Sequence, residues 1–323
     1  MTYRAIWIAS ALFILPFTPL RAADTYPTRP VRFVVPFAPG GSSDTITRLI
    51  GPRLAEQMGQ QFVLDNRSGG NGAIGTQIVA QAAPDGHTIG LAYIATLATN
   101  PAISGDVGYD PIKDFAAITQ LTASANVLAV HPSVGAASVK ELIAQAKAKP
   151  GHMNYSSGGI GTIGHLSAEL LQHAAGIKLN HIVYKGSGQA VIDLLGGHVG
   201  IMFSGMAAVQ GHAKGGRLKL LAVTGKERMP IAADVPTIAE SGYPGFEAVG
   251  WFGLIAPARL PKPIVTRLNN EVIKAINTPD VRERLTAIGF DVVTSTPEAF
   301  ARYIETEVVK WRNVAKQMGL KSK

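Results

Sequence analysis

The residues of this chain whose types and spacing suit chemistry lie in three glycine-rich turns, at residues 31–46, 153–166 and 182–192. In each, an apolar strand-like run breaks at glycines and enters a helical pattern. Serine or threonine able to cap a helix sits in or just after the break. Such a turn points free backbone N–H groups at whatever lies over the helix start, and the helix dipole adds partial positive charge there. The chemistry on offer is the holding of a carboxylate or phosphate. A single turn would be read as a tight αβ connection that happens to need glycine. Three turns of the same build favour small-anion recognition.

Other chemistries find less support. The segment from Gly159 to Gly164 matches G-x-G-x-x-G between a strand and a helix. The dinucleotide fingerprint also needs an acidic residue at the end of the next strand. Tyr184 and Lys185 stand there instead, so only a 2′-phosphate held by Lys185 would keep an NADP enzyme open. Glycine pairs at 70–75 and 159–164 lack the Lys-Ser or Lys-Thr of a P-loop, and no Gly-x-Ser-x-Gly elbow occurs. The eight histidines form no metal-ligand pattern. His165 opens a helix and reads as a capping or packing residue. Asp44 reads as a first-turn acid that holds the loop in shape. No catalytic residue, metal or cofactor is expected.

The elements that position these turns alternate in type. Strands are expected at 31–35, 62–64 and 88–93, with helices at 43–58 and 74–82, and Pro52 should kink the first helix. This β-α-β-α-β run predicts a parallel sheet. Two short strands at 116–121 and 126–130, separated by residues 122–125, read as a crossing into a second domain. The alternation restarts there: helix 139–148, strand 153–156, helix 165–174, strand 181–184, helix 189–195, strand 199–203, helix 207–213 and strand 218–223. Residues 226–245 read as a long loop, and a strand at 250–255 as the crossing back. Helices at 263–276 and from Pro297 onward follow, the latter facing the body with Phe300, Tyr303, Ile304, Val308 and Trp311. The expected fold is α/β, with two domains, each a mostly parallel sheet flanked by helices, and a ligand cleft between them.

Composition sets the setting. Arg4, the apolar run 5–15 and the small residues Ala22 and Ala23 form an export signal, too short to span a membrane, with cleavage expected near Ala22 or Ala23. The chain has no cysteine, which excludes a lipoprotein anchor, disulfides and thiol catalysis. The formal charge of +8 is spread without a basic cluster, so it favours anionic ligands and not nucleic acid. The expected division is a signal peptide at 1–23, one domain from 24–124 and 248–323, and a second from 125–247.

Several segments together resemble the Bug family, the periplasmic receptors of tripartite tricarboxylate transporters. They are Tyr26-Pro-Thr-Arg-Pro-Val, Val35-Pro-Phe-Ala-Pro-Gly-Gly-Ser-Ser-Asp, Asp65-Asn-Arg-Ser-Gly-Gly-Asn-Gly, Pro84-Asp-Gly-His-Thr, Val183-Tyr-Lys-Gly, Leu194-Leu-Gly-Gly-His, Leu220-Leu-Ala-Val-Thr and Val235-Pro-Thr-Ile-Ala-Glu-Ser-Gly-Tyr. The resemblance covers essentially all of the mature chain. It implies a two-domain, type II-like periplasmic binding fold that closes like a Venus flytrap on a small di- or tricarboxylate or aromatic carboxylate. By position it implies ligand contacts from Phe37, Gly40, Gly41 and Ser42 in one domain. From the other it implies Ser156, Gly159, Gly161 and Thr162. Tyr93, Ala95 and Thr96 would wall the pocket, with Asp44, His165 and Lys185 in support. Members that bind amino acids resemble one another in an Asp just after the equivalent of Phe203. Ser204 stands there, which argues against an amino-bearing ligand. The partners implied are the transporter's membrane subunits, with a monomeric receptor. A sensor kinase as partner, or an exported NADP enzyme, are the alternatives.

Overall fold

The computed structural model describes residues 26–184, 186–317 and 319–320; the expected export signal lies outside them. The chain runs β1 (Val31–Val35), α1 (Ser42–Met58), β2 (Phe62–Asn66), α2 (Ala73–Ala80) and β3 (Thr88–Tyr93). A π-helical turn (Ala95–Thr99) and α3 (Asn100–Ser104) lead to β4 (Phe115–Val130). There follow α4 (Val139–Ala148), β5 (Asn154–Ser157), α5 (Ile163–Ala175), β6 (Asn180–Val183), α6 (Ser187–Leu195), β7 (Ile201–Gly205), α7 (Met206–Lys214) and β8 (Lys219–Val223). The chain closes with β9 (Val249–Pro257), α8 (Lys262–Ile276), α9 (Pro279–Ala287), β10 (Asp291–Val292) and α10 (Pro297–Gln317).

The strands line up as β2-β1-β3-β9-β4-β7-β5-β6. Each half has a parallel core, β2-β1-β3 in one and β7-β5-β6 in the other. The crossing strands β4 and β9 add antiparallel pairings to it. Parallel cores follow from the βα alternation, because a parallel neighbour needs a crossover helix. Residues 115–130, expected as two strands with a break, form one strand of 16 residues. Its first part pairs with β9, its last five residues pair with β7, and the last four of these also pair with β8. The small residues 122–125 pair through to β9 with shifted register and do not form a turn. Pro52 sits inside α1, whose 17 residues run unbroken.

Thr224, fully buried, ties the two crossings together. Its backbone N–H donates to the Asn126 carbonyl at 2.8 Å, and its Oγ1 accepts from the Asn126 N–H at 2.8 Å. The same Oγ1 donates to the Ala248 carbonyl at 2.6 Å, and the Ala248 N–H returns a bond to the Thr224 carbonyl at 2.9 Å. Both chain passages between the halves are thus fastened to one residue.

The C-terminal helix α10 docks as its apolar stripe requires, with Phe300, Ile304, Val308 and Trp311 buried. Gly253 of β9 makes room for it: a Cβ there would stand 2.1 Å from the Phe300 ring. Among these apolar groups Glu307 is 5% exposed. Its Oε2 accepts from the indole N–H groups of Trp251 at 3.1 Å and Trp311 at 3.0 Å. A carboxylate can receive both donors, and an aliphatic side chain neither. Glu307→Leu strands two buried N–H groups and should cost about 2–4 kcal/mol. The check is a lower urea midpoint at unchanged slope.

Candidate functional site

A cleft of about 330 Å³ opens at the carboxyl ends of the strands, between the two halves. It is at the small end of the range for ligand pockets, so it suits a metabolite-sized molecule. The first turn supplies Phe37, Gly41, Ser42 and Ser43. The second supplies Gly158, Thr162, Ile163 and Gly164. The third supplies Gly186 and Ser187, and the end of β7 supplies Phe203, Ser204 and Gly205. Tyr93, Phe252 and Phe290 form the wall, and Ser124 and Asn126 of β4 lie at the crossing. No charged side chain lines this cleft among the described residues.

Positive potential must therefore come from the backbone. Helices α1, α6 and α7 all begin at this cleft, at Gly41, Gly186 and Gly205, and none has a side-chain cap. The first N–H groups of each helix have no partner within it, and each start carries roughly half a unit of positive charge. Helix α5 differs: Thr162 caps it by accepting from the His165 N–H at 3.4 Å.

The first turn is held open by Asp44. Its Oδ2 accepts from Arg48 Nε at 2.7 Å and from the Gly40 N–H at 3.0 Å, and its Oδ1 accepts from Asn66 Nδ2 at 3.2 Å. Arg48 foremost holds this carboxyl below the usual carboxylate range, with the Gly40 and Asn66 bonds adding to it. Asp44 is therefore charged, occupied and turned into the loop, the shaping role expected of it. Gly40 is exposed, does not line the cleft and serves the same loop.

The second turn departs from expectation. Gly159 and Gly161, expected to meet the ligand, do not line the cleft. The Gly159 carbonyl accepts from Thr162 Oγ1 at 2.8 Å and Ser157 Oγ at 3.1 Å, and its N–H donates back to Ser157 Oγ. The Gly161 N–H donates to His165 Nδ1 at 3.2 Å, and its carbonyl accepts from Thr99 Oγ1 of the opposite half at 2.8 Å. Asn71 Nδ2, also from the opposite half, donates to the Ile160 carbonyl at 3.2 Å. These backbone groups are used up in shaping the turn and in clasping the halves. The same bonds leave neither Gly159 nor Gly161 a free N–H for a pyrophosphate. Ser156 is fully buried beneath the turn and lines nothing.

Ala95 and Thr96 are likewise fully buried behind the wall and not in it. Thr96 Oγ1 donates to the Tyr93 carbonyl at 2.9 Å and accepts from its N–H at 3.2 Å, closing the strand end. That fixes Tyr93, whose ring meets Phe37 edge-on at 5.7 Å and stacks on Phe252 at 4.5 Å. Burial pushes the Tyr93 hydroxyl up to about 12, so it stays protonated. Lys185 lies outside the described residues.

Ser43, Ser124, Asn126, Gly158, Ile163, Gly164, Gly186, Ser187, Phe203, Gly205, Phe252 and Phe290 line the cleft without being named as ligand contacts by sequence reasoning. The third turn reads in sequence as an anion-holding motif, which is a signal for Gly186 and Ser187. The aromatic pair comes from β9 and the residue before β10, far apart in sequence from the turns.

The family pattern "Tripartite tricarboxylate transporter family receptor" matches residues 46–320. The chain belongs to that family. Its members are solute-binding receptors, so the protein is a receptor and not an enzyme. It is 37% identical to Protein BugT of Bordetella pertussis over 319 residues, covering 98% of this chain and 97% of that one. Among solved structures, this receptor resembles an R. palustris protein solved with adipate. The TM-score is 0.84 at 37% identity, covering 92% of this chain and 99% of the other. It also resembles MatC from Rhodopseudomonas palustris with bound malate, with a TM-score of 0.80 at 32% identity, covering 90% and 99%. These likenesses agree with the α/β periplasmic-binding architecture and with the resemblance read in the sequence. No helix among the described residues is long and apolar enough to cross a membrane.

Behind the second turn, His181 is sandwiched between Tyr155 and His165, each ring 4.5 Å away. Because Gly161 donates to Nδ1 of His165, the proton of that neutral ring sits on Nε2. Burial lowers both imidazoles to about 4, helped for His181 by its neighbour His165. The unfolded chain takes up these protons near 6.5 and the receptor only near 4. Stability held above pH 6.5 should therefore drain away as pH falls from 6.5 to 4, and this contribution should level off below 4. Urea midpoints across that window should fall for the wild type. They should fall less steeply for the His165→Asn, His181→Phe double variant, in which neither position titrates.

Proposed function

We propose that this receptor captures a small carboxylate in the periplasm and hands it to the membrane subunits of a tripartite tricarboxylate transporter. One observation carries the reading: three uncapped helix starts open on a cleft that no charged side chain of the described residues lines. Fixed N–H donors in such a site need no reorganisation and suit an anion. Export would follow the signal read at residues 1–23. The capturing lobes would be residues 24–124 with 248–323, and residues 125–247, closing about the Thr224 staple. Adipate and malate in related structures support the ligand class.

The ligand lacks a charged amino group. A buried ammonium needs a paired acceptor or pays several kcal/mol in desolvation. No acidic side chain lines the cleft among the described residues, and Asp44 is taken by Arg48, Gly40 and Asn66. Ser204, at the position in question, is a buried neutral hydroxyl.

A thermal-shift screen of carboxylic acids tests the reading. A ligand at roughly a hundred times its Kd should add about 2.7 kcal/mol of stability, a rise of several degrees in Tm for a chain of this size. Each acid should bind more tightly than its amino analogue. A shift with NADPH and none with any carboxylate overturns the receptor reading. Tighter binding of the amino analogues overturns the claim about the amine alone. Ser204→Asp should weaken binding of the acids by like-charge repulsion, read by calorimetry.

A further inference from the structure

We propose that Asn71, which does not line the cleft, is a positioning residue: it holds the tip of the second turn against the opposite half and so sets how long a ligand stays. The inference rests on the receptor reading above and adds to it a residue that acts without touching the ligand.

Asn71 is the one non-glycine residue of positive φ among the described residues, at φ 52° and ψ 40°. A left-handed backbone is uncommon outside glycine, and asparagine adopts it more readily than most. Its neighbours Gly70 and Gly72 are glycines of positive φ, and a third glycine would serve this turn without steric strain. The side chain must therefore have a use of its own. Asn100, at the start of α3 and 6% exposed, donates through Nδ2 to the carbonyls of Gly70 at 3.0 Å and Asn71 at 3.1 Å. That leaves its Oδ1 as an acceptor, and Asn71 Nδ2 donates to it at 3.2 Å. The second hydrogen of the Asn71 amide crosses to the other half and meets the Ile160 carbonyl at 3.2 Å. One bond anchors the side chain to its own half, and the other reaches across.

The second turn is thus held at two points. The inner one is Gly161, whose carbonyl accepts from the buried Thr99 hydroxyl. The outer one is Ile160, 54% exposed, at the tip. A Cβ on Gly161 would stand 3.4 Å from Asn71 Nδ2, so the backbone comes close here. Gly158 before these two residues and Thr162 to Gly164 after them line the cleft, so a shift of the tip moves the cleft wall. The Asn71 bond lies at the exposed rim, where water can replace either partner. It is the bond that opposes the first lift of the turn.

The test is stopped-flow and calorimetric binding of malate and adipate to the wild type, Asn71→Gly and Asn71→Asp. Glycine keeps the left-handed backbone and removes both donors. Aspartate keeps the shape and sets a carboxylate oxygen against two oxygens. In Asn71→Gly the off-rate should rise roughly fivefold, the worth of one neutral hydrogen bond. The on-rate should stay as it is, because the groups lining the cleft are unchanged. Asn71→Asp should release faster still. A role for the backbone alone gives the reverse, with glycine as good as asparagine or better, and that result overturns the proposal. A loss carried by the on-rate also overturns it. A measurement without ligand separates the proposal from the carboxylate reading: hydrogen exchange at the Gly159, Gly161 and Thr162 amides, each bonded within the turn. Exchange there should be roughly fivefold faster in Asn71→Gly. Failure of both acids to bind the wild type counts against the carboxylate reading. Unchanged exchange overturns the role of Asn71 whether or not they bind.

Discussion

Backbone N–H groups that have no acceptor of their own are the constraint on which this receptor's site is built. A helix start can be finished by a side chain, as Thr162 finishes α5. Glycine finishes α1, α6 and α7 instead, and all three open on one cleft. A lysine or arginine would bind an anion through a long, mobile side chain that must be ordered. Backbone donors are already ordered by the helix that carries them. The cost is that each turn must be held rigid by its own bonds. Asp44 does this for the first turn, and Ser157 with Thr162 for the second.

Those shaping bonds separate residues that look alike in sequence. Gly41 and Gly161 both sit in glycine turns before helices. Gly41 lines the cleft, whereas both polar groups of Gly161 are spent, one on His165 and one on Thr99 from the opposite half. The second turn is thus both a wall of the cleft, at Gly158 and Thr162 to Gly164, and a clasp between halves, at Ile160 and Gly161. At the crossing, Thr224 fastens both chain passages. The halves share the crossing strands and a buried apolar cluster that holds Leu166 of α5 with Trp251 and Trp311, and across the clasp itself the contacts are neutral hydrogen bonds. Neutral contacts of this kind are weak enough to be remade when two bodies move.

The apolar wall shows the same division of labour. Thr96 is invisible from the cleft, yet its hydroxyl closes the end of β3 and so sets where the Tyr93 ring stands. Tyr93 then bridges Phe37 of the first turn to Phe252 of β9. Family likeness placed Ala95 and Thr96 near the pocket by sequence position. Their burial shows that they act one layer behind it.

The amino-acid sequence by itself determined the βα alternation, the three glycine turns, the amphipathic face of α10 and the family. These depend on short-range patterns: alternation of apolar residues, glycine where a strand meets a helix, and runs of neighbouring residue types. It also determined the shaping role of Asp44, because a first-turn acid acts on groups within a few residues. Tertiary structure decided the rest. Residues 122–125 read as a break because they are small, but pairing with β9 carries β4 straight through them. Which glycines stay free was decided by Thr99, Ser157 and His165, whose approach no spacing rule encodes. Phe252 and Phe290 became wall residues through strand order and register. Those are properties of contacts made far apart along the chain, and only the assembled sheet brings them together.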